Sequence, residues 1–359
     1  MDFLRSLWRE TPIFYRYIVI LFLKYLLLVL LITTALVLFA AILSYLNFAK
    51  TLSPRWGLEY ALTTAAVYTP LLLPLLELFA VALALYPFVK KKLNWVIFAS
   101  GIPPREVLKP LAAALLLPLL LLLIHFQLLY PYAGYLQHLD YLRAKNKPLK
   151  EGIVENFWYR KGSEFIHFDL IHLGEGKAYN GRLFVVDNNF RLRWVADIPV
   201  ATFEVSDESI TLKVPSFKRY TPRGVEELKN WHSVFPYEPK LLKVKNPSYF
   251  STSELVRLVL FARNAGINYY PYLWELVKRF LLVFAAFLFP LLGGIYFFAS
   301  TERKQFIHRS LVLFAGAVMF YVILLLFQSL VIKVSLNPLY GLLLVLPYLL
   351  WLFIAVKRN

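Results

Sequence analysis

The run IVILFLKYLLLVLLITTALVLFAAILSYLNF, residues 18–48, decides the solvent in which this chain folds. It exceeds the ~20 helical residues that are needed to cross a hydrocarbon core of ~30 Å. No short apolar core with a small-residue cleavage site follows the N-terminal basic residues, so we expect a retained helix rather than a removable signal peptide. The run therefore predicts a transmembrane helix.

Five further runs have the same character, and they predict six transmembrane helices in all, three on each side of a long polar segment. The chain has 359 residues, of which 59% are hydrophobic and 17% aromatic, whereas a soluble domain is about half apolar. The five runs are residues 61–89, 107–130, 276–299, 310–332 and 336–356.

The positive charge follows the membrane topology. The net charge of +17 could indicate nucleic-acid binding, but the basic residues cluster beside apolar runs, where they fix orientation. We therefore expect no nucleic-acid partner. Both termini are predicted to be cytoplasmic, with the segment 131–272 outside, because alternating helices place most basic clusters on one side: Arg5, Arg9, Arg16, Lys90, Lys91, Lys92, Arg105, Lys109, Arg303, Lys304, Arg309, Lys357 and Arg358.

The outer segment predicts an all-β domain. Apolar and polar residues alternate over 164–168, 182–186, 191–195, 202–205 and 209–214, and turn residues separate these stretches at 174–176, 187–189 and 206–208. This pattern favours an antiparallel sandwich or jellyroll. The chain has no cysteine, so the domain must fold without disulfides. Ser251 and Gly266 bound a predicted amphipathic helix.

The fold class is thus an integral membrane α-helical protein with an inserted extracytoplasmic jellyroll-like domain. The predicted domains are residues 1–130, with the first three transmembrane helices, 131–272, with the β domain and its connecting helix, and 273–359, with the last three helices.

The sequence indicates no catalytic centre of a known type. It has no phosphate-binding P-loop, no HExxH zinc helix and no GxSxG elbow. His167 and Asp169 share one strand face and His172 lies on the other, so we predict no metal site. No cofactor is expected.

Two polar residues lie within predicted membrane helices. Glu77 is costly in lipid unless it faces a cavity, a partner or another helix, and it lies near the kinks that Pro70 and Pro74 would cause. A packing role is favoured for it, with a proton relay as the alternative. His125 has the same two interpretations.

The stretch KKKLNWVIFASGIPPRE, residues 90–106, predicts a short cytoplasmic helix over 93–101. Gly101 ends the helix, and Pro103 and Pro104 prevent its continuation. Such a helix can lie in the headgroup interface or dock into another protein.

The chain resembles the lipopolysaccharide-export permeases of the LptF/LptG (YjgP/YjgQ) type nearly from end to end. Each matching motif is short, and their order across three helices, a β domain and three helices is specific. The matching residues are Arg16-Tyr17, Leu73-Pro74, Ala99-Ser100-Gly101-Ile102, Trp158, Arg160, Gly162, Phe165, Leu183-Phe184-Val185-Val186-Asp187, Ser251, Glu254-Leu255, Gly266, Glu275, Arg279 and Pro290-Leu291.

The resemblance implies a non-catalytic transmembrane subunit of an ABC transporter in the bacterial inner membrane. Its expected partners are a second permease of the same family, a dimeric cytoplasmic ATPase that hydrolyses ATP, and a periplasmic jellyroll bridge protein. Its expected substrate is lipopolysaccharide, extracted from the outer leaflet. The helix at 93–101 corresponds to the coupling helix, which docks into the ATPase.

The chain departs from the family pattern at two places. The family's usual glutamate, eight residues before Gly101, is Leu93 here, so apolar insertion through Trp95, Ile97 and Phe98 is expected to carry more of the docking. The family often has basic residues within the outer part of the first helix. This chain offers Lys50 and Arg55 just beyond it as candidates for contact with lipid headgroups.

Two other functions are the alternatives. A membrane-bound enzyme acting on lipids or glycans would need convergent acids or a nucleophile and base in the outer domain. A secondary transporter would couple through Glu77, and such folds usually have repeated helix sets.

Overall fold

The computed structural model describes residues 12–49, 53–145, 153–172, 176–187, 191–205, 209–221, 224–236, 246–264 and 268–358. The chain divides into two compact units. One consists of Met1–Lys147 and Trp274–Asn359, and the other of Pro148–Leu273. The β unit is thus a single insertion within the helical unit.

Eight α-helices occur in the described part of the chain, and six spans among them are long and apolar enough to cross a membrane. The helices are α1 Ile13–Phe48, α2 Pro54–Lys90, α3 Leu93–Ala99, α4 Leu108–Ala144, α5 Thr252–Asn264, α6 Tyr270–Phe298, α7 Arg303–Val334 and α8 Leu346–Arg358. The spans are α1, α2, α4 with the 3₁₀ turn Pro104–Val107, α6, α7, and α8 with the 3₁₀ helix Pro338–Val345. They confirm the predicted three-plus-three arrangement.

Helix α6 forms the centre of the helical unit. In its most apolar stretch 72% of the residues are buried, against 17% in α1 and in the α8 span and 22% in α7. Gly293 and Gly294 permit the close packing, since a Cβ atom would lie 2.7 Å from Leu78 of α2 and 2.4 Å from Leu111 of α4. The α1, α7 and α8 helices therefore keep wide apolar faces for lipid or another protein.

Helix α4 continues past residue 130, where its apolar run was predicted to end, and reaches Ala144. Pro131 lies inside the helix, and membrane helices tolerate the loss of one backbone donor. Gly134, Leu139 and Ala144 are buried. A helix that keeps one packed face can thus continue after the sequence has become too polar for a hydropathy signal.

The β unit contains one six-stranded antiparallel sheet in the order β1-β2-β3-β4-β5-β6, each strand pairing with the next. This confirms an inserted β domain. Among the described residues the strands form a consecutive meander, and the jellyroll stays a prediction. The strands are β1 Ile153–Lys161, β2 Glu164–His172, β3 Lys177–Val186, β4 Leu192–Val205, β5 Ser209–Thr221 and β6 Gly224–Pro236.

Strand β4 unites two strands that were predicted separately, at 191–195 and 202–205. Its pairing with β5 is interrupted between Asp197 and Thr202, where Pro199 of β4 and Pro215 of β5 lie. Proline has no N–H for the ladder. Along the opposite edge of β4, Ile198 and Val200 on either side of Pro199 still pair with β3. This pairing keeps β4 in the sheet.

Ser251 begins α5 with a capping box. The backbone N–H of Glu254 donates to Ser251 Oγ at 3.3 Å, and the N–H of Ser251 donates to Glu254 Oε2 at 2.8 Å. The two residues thereby satisfy each other's free donors, as the sequence predicted for Ser251. Gly266 lies outside the described residues, as do most of the predicted turn residues at 174–176, 187–189 and 206–208.

Gly181 should be the most sensitive glycine of the sheet. It pairs with Phe168 of the neighbouring strand, and a Cβ atom at Gly181 would lie 2.3 Å from the Phe168 ring, which is 1% exposed and has no room to move. We expect Gly181→Ala to destabilise the β domain by about 1–3 kcal/mol, the usual cost of overpacking. Thermal denaturation of a fragment of residues 148–250 would measure it. Val225→Ala is the control, since Val225 is a strand residue that is 63% exposed and its truncation leaves no cavity in the core. A lower stability for Val225→Ala than for Gly181→Ala would contradict the packing argument.

Candidate functional site

Helix α3 is a seven-residue helix held between two left-handed residues. Lys92 precedes it with φ of 57°, and Gly101 follows it with φ of +85°. The N–H of Ile102 donates to the Ile97 carbonyl at 3.3 Å, and that of Gly101 to the Phe98 carbonyl at 2.9 Å. This is a Schellman motif. The backbone therefore fixes where α3 ends, as Gly101 predicted.

The side chains of α3 divide between two faces. Leu93, Trp95 and Val96 are exposed, and Val96 is the most exposed at 67%. Ile97 and Phe98 are half-buried, and the Phe98 ring lies 5.4 Å from the Phe298 ring of α6. The helix therefore presents Leu93, Trp95 and Val96 outwards, while Phe98 packs against its own protein.

Asn94 and Val96 of α3 were given no role by the sequence, and Asn94 is the one that faces inwards. It is fully buried, and its Nδ2 donates to the carbonyl oxygens of Phe298, at 3.3 Å, and Ser300, at 2.6 Å. The partners lie 204 and 206 positions away in the sequence, so no local pattern could have indicated them. Their contact attaches the inner face of α3, on which Phe98 also lies, to the end of α6.

His125 satisfies a carbonyl that a proline leaves free. Pro70 has no N–H, so the carbonyl of Ala66 lacks its helical partner in α2. Nε2 of His125 in α4 lies 2.9 Å from that carbonyl oxygen, and a carbonyl can only accept, so Nε2 carries the hydrogen. This geometry favours the packing interpretation of His125.

A second donor reaches the kinked part of α2 from α7. The hydroxyl of Tyr321 donates to the Leu71 carbonyl at 2.8 Å. Leu71 lies between Pro70 and Pro74, where the helical hydrogen bonding is interrupted. A tyrosine in an apolar run gives no sequence signal of the carbonyl that it will bind, so this contact was not predicted.

Glu77 lies three residues after Pro74 and is fully buried. Neither carboxyl oxygen has a hydrogen-bond partner among the described residues. The favoured interpretation is a hydrogen-bonded packing residue. Glu77 is buried as that role requires, but the described residues give its carboxyl group no hydrogen bond. Its role stays a prediction.

A buried ion cluster lies near the start of α6. Glu275 contacts Arg279 at 3.2 Å and Lys278 at 2.5 Å. Arg279 also donates to the Phe126 carbonyl of α4 at 3.2 Å, and its guanidinium lies 5.1 Å from the centre of the Tyr130 ring. Sequence reasoning singled out Glu275 and Arg279 as a motif, and Lys278 went unnoticed. The cluster joins α6 to α4.

The two candidates for headgroup contact are differently placed. Lys50 lies outside the described residues. Arg55 lies in the first turn of α2 with an exposed side chain, so it is free of the helix packing. The structure therefore describes no cluster that contains both.

Sequence comparison adds what the geometry alone does not give. The family model for the lipopolysaccharide export system permease LptF/LptG matches residues 16–358. The chain belongs to the LptF/LptG family. It is a lipopolysaccharide export permease and a multi-pass protein of the inner membrane. A comparison with curated proteins gave no significant match.

The match covers both compact units of the permease. Helix α3, the kinked α2 with its donors from α4 and α7, and the Glu275 cluster all lie within the matched residues. In the part of the chain that the structure describes, no group of three side chains could hold a metal ion.

Proposed function

We propose that this permease is the transmembrane subunit of an ABC exporter that extracts lipopolysaccharide from the outer leaflet of the inner membrane. A dimeric cytoplasmic ATPase would supply the energy, and a second permease of the same family would complete the cavity. The lipid would then pass to a periplasmic jellyroll bridge protein. Both termini would be cytoplasmic and the β domain periplasmic.

The observation that carries the proposal is the exposed apolar face of α3. Leu93, Trp95 and Val96 are large side chains left in contact with solvent on a helix whose two ends are fixed. An apolar patch beside Lys90–Lys92 is a suitable surface for docking into a cytoplasmic protein. Family membership makes an ATPase the expected occupant.

The wide apolar faces of α1, α7 and α8 support the second part of the proposal. Large exposed side chains such as Leu31, Leu325 and Phe353 line these helices. Lipid acyl chains and a partner permease both offer the apolar surface that such faces require. A cavity between two permeases would therefore be apolar on this side.

The proposal is tested by reconstitution. The permease, its partner permease and the ATPase are co-purified from native membranes and placed in liposomes with lipopolysaccharide. We expect a complex of two ATPase subunits and one of each permease, with ATP-dependent transfer of lipopolysaccharide to added bridge protein. Transfer by the permease alone, without ATP or ATPase, would contradict the proposal.

Glu77→Gln separates this proposal from coupling to protons. Glutamine has the shape of glutamate and no charge, so we expect ATP-dependent lipopolysaccharide release to stay within about twofold if Glu77 only packs. Release from liposomes with and without a pH gradient would measure it. Loss of transport in Glu77→Gln, together with dependence on the gradient in the wild type, would favour the secondary transporter instead.

A further inference from the structure

The C-terminal end of α6 has carbonyl groups that the helix itself cannot satisfy. Two of them bond to the following backbone: the N–H of Ala299 donates to Ile295 at 2.9 Å, and that of Ser300 donates to Phe297 at 3.1 Å. The carbonyls of Tyr296 and Phe298 are left for side chains. These two carbonyls decide what the end of α6 is attached to.

Helix α3 takes one of them. Asn94 places both hydrogens of its amide on carbonyl oxygens, those of Phe298 and Ser300. Trp95 adds a third bond from Nε1 to the Thr301 carbonyl at 3.4 Å. Helix α3 is joined covalently to α2 and α4, yet its polar side chains bond to the junction between α6 and α7.

Helix α7 takes the other. Arg309 donates from Nη1 to the Tyr296 carbonyl at 3.0 Å, and the same Nη1 lies 3.4 Å from Ser300 Oγ. The Ser300 hydroxyl also donates to the Tyr296 carbonyl, at 2.8 Å. The N–H of Thr301 donates to Gln305 Oε1 at 2.9 Å. The short segment 298–301 is therefore hydrogen-bonded both to α3 and to α7.

The amide of Asn94 has only one workable orientation. Both of its partners are acceptors, so a flipped amide would set one oxygen against two carbonyl oxygens. In the orientation present, Oδ1 is buried and has no partner among the described residues. The two carbonyls of the α6–α7 junction therefore fix the orientation of the amide, since its NH₂ group donates to both.

We propose that Asn94 is a positioning residue that makes α3 move as one piece with the α6–α7 junction. A displacement of α3 by the ATPase is then transmitted to α6 and α7, and through the Tyr321 bond to α2, besides passing along the chain into α2 and α4. This inference rests on the proposed coupling role of α3. Asn94, an uncharged side chain next to Leu93, then transmits the displacement of α3 and does not itself dock into the ATPase.

The test uses three variants of the full complex. Asn94→Leu has a similar size and no donor, Asn94→Asp replaces the donor by an oxygen, and Asn94→Gln keeps the NH₂ group. We expect the first two to bind the ATPase and hydrolyse ATP as the wild type does. Their ATP-dependent lipopolysaccharide release should fall by about tenfold or more, because two buried carbonyls lose their donor. Asn94→Gln should restore release at least partly.

Asn337→Asp is the matched control. The Asn337 oxygen, not its NH₂ group, accepts from the backbone N–H of Leu339 at 3.0 Å, so the same chemical change keeps the bond and should leave release unchanged. If Asn94→Leu and Asn94→Asp release lipopolysaccharide at the wild-type rate, the proposed role of Asn94 is wrong. Loss of bound ATPase in both variants would assign Asn94 to docking and also overturn it.

A second readout needs no ATPase. The chain has no cysteine, so Ala99→Cys on α3 and Glu302→Cys before α7 can be spin-labelled as a pair without further changes. We expect one narrow distance distribution in the permease with Asn94 and a broad one with Asn94→Leu. Equal distributions would contradict the attachment. A wild-type complex that shows no ATP-dependent release would instead contradict the proposed function, and the distance measurement would still test the attachment.

Discussion

Replacing Val96 by aspartate should release the ATPase from the permease. Val96 is the most exposed large apolar side chain of α3 and lies beside Leu93 and Trp95, so a docked ATPase would bury it. An unpaired carboxylate in an apolar groove costs several kcal/mol, and a loss of ~3 kcal/mol lowers the affinity about 100-fold. Pull-down of the ATPase with wild-type and Val96→Asp permease, over a series of salt concentrations, measures the effect.

Val96→Thr is the matched control, since it keeps the shape of valine without a charge, and its buried hydroxyl should cost about 0.5–2 kcal/mol, less than the carboxylate. Moderate salt should not release the ATPase from the wild type, because screening weakens exposed ion pairs and leaves apolar contacts intact. If Val96→Asp binds normally while salt releases the wild type, docking depends on Lys90–Lys92. Phe98→Asp is a less direct test, because Phe98 also packs against Phe298.

Replacing Glu275 by glutamine should cause the largest loss of stability in the helical unit. Glu275 is the carboxylate shared by Lys278 and Arg279, and the three side chains are between 3% and 13% exposed. Removing one partner of a buried ion pair costs about 3–5 kcal/mol because the remaining charge is uncompensated. We expect a much lower melting temperature for detergent-solubilised Glu275→Gln, measured by intrinsic tryptophan fluorescence.

Glu106→Gln is the control in the same unit. Glu106 pairs with Lys109, which is 67% exposed, at 2.8 Å, and exposed pairs contribute little. It also accepts from the Tyr15 hydroxyl at 2.7 Å, a bond that the amide oxygen of glutamine can keep. Its melting temperature should stay close to that of the wild type. Equal losses in the two variants would mean that burial of the Glu275 cluster is not what stabilises the helical unit.

The sequence predicts the six spans and the β insertion because each rests on a local pattern. Runs such as 18–48 are predominantly apolar over a length that spans a membrane, and the strands alternate. Two details depend on distant contacts and were not predictable. Helix α4 passes through Pro131 because its face stays packed, and β4 passes through Pro199 because β3 still pairs beside it.

The candidate site divides in the same way. Gly101 and the apolar residues of α3 could be recognised from the sequence, since the end of a helix at glycine and the type of a side chain are local properties. The sequence could not show which of them face outwards, because a helix of seven residues is too short for a hydrophobic periodicity that would identify its buried face. The inward face is shown by the contacts of Asn94 with a junction more than 200 positions away, and the donors at the α2 kinks lie 59 and 250 positions from their carbonyls.

Pro70 and His125 are linked through the carbonyl of Ala66. With a residue other than proline at position 70, its N–H could satisfy that carbonyl and the His125 donor would no longer be required, whereas with proline at position 70 the carbonyl depends on a donor at position 125. Loss of the donor alone therefore carries a cost, and simultaneous replacement of Pro70 would remove it. The two positions should therefore co-vary among related permeases, with proline at the first accompanied by a hydrogen-bond donor at the second.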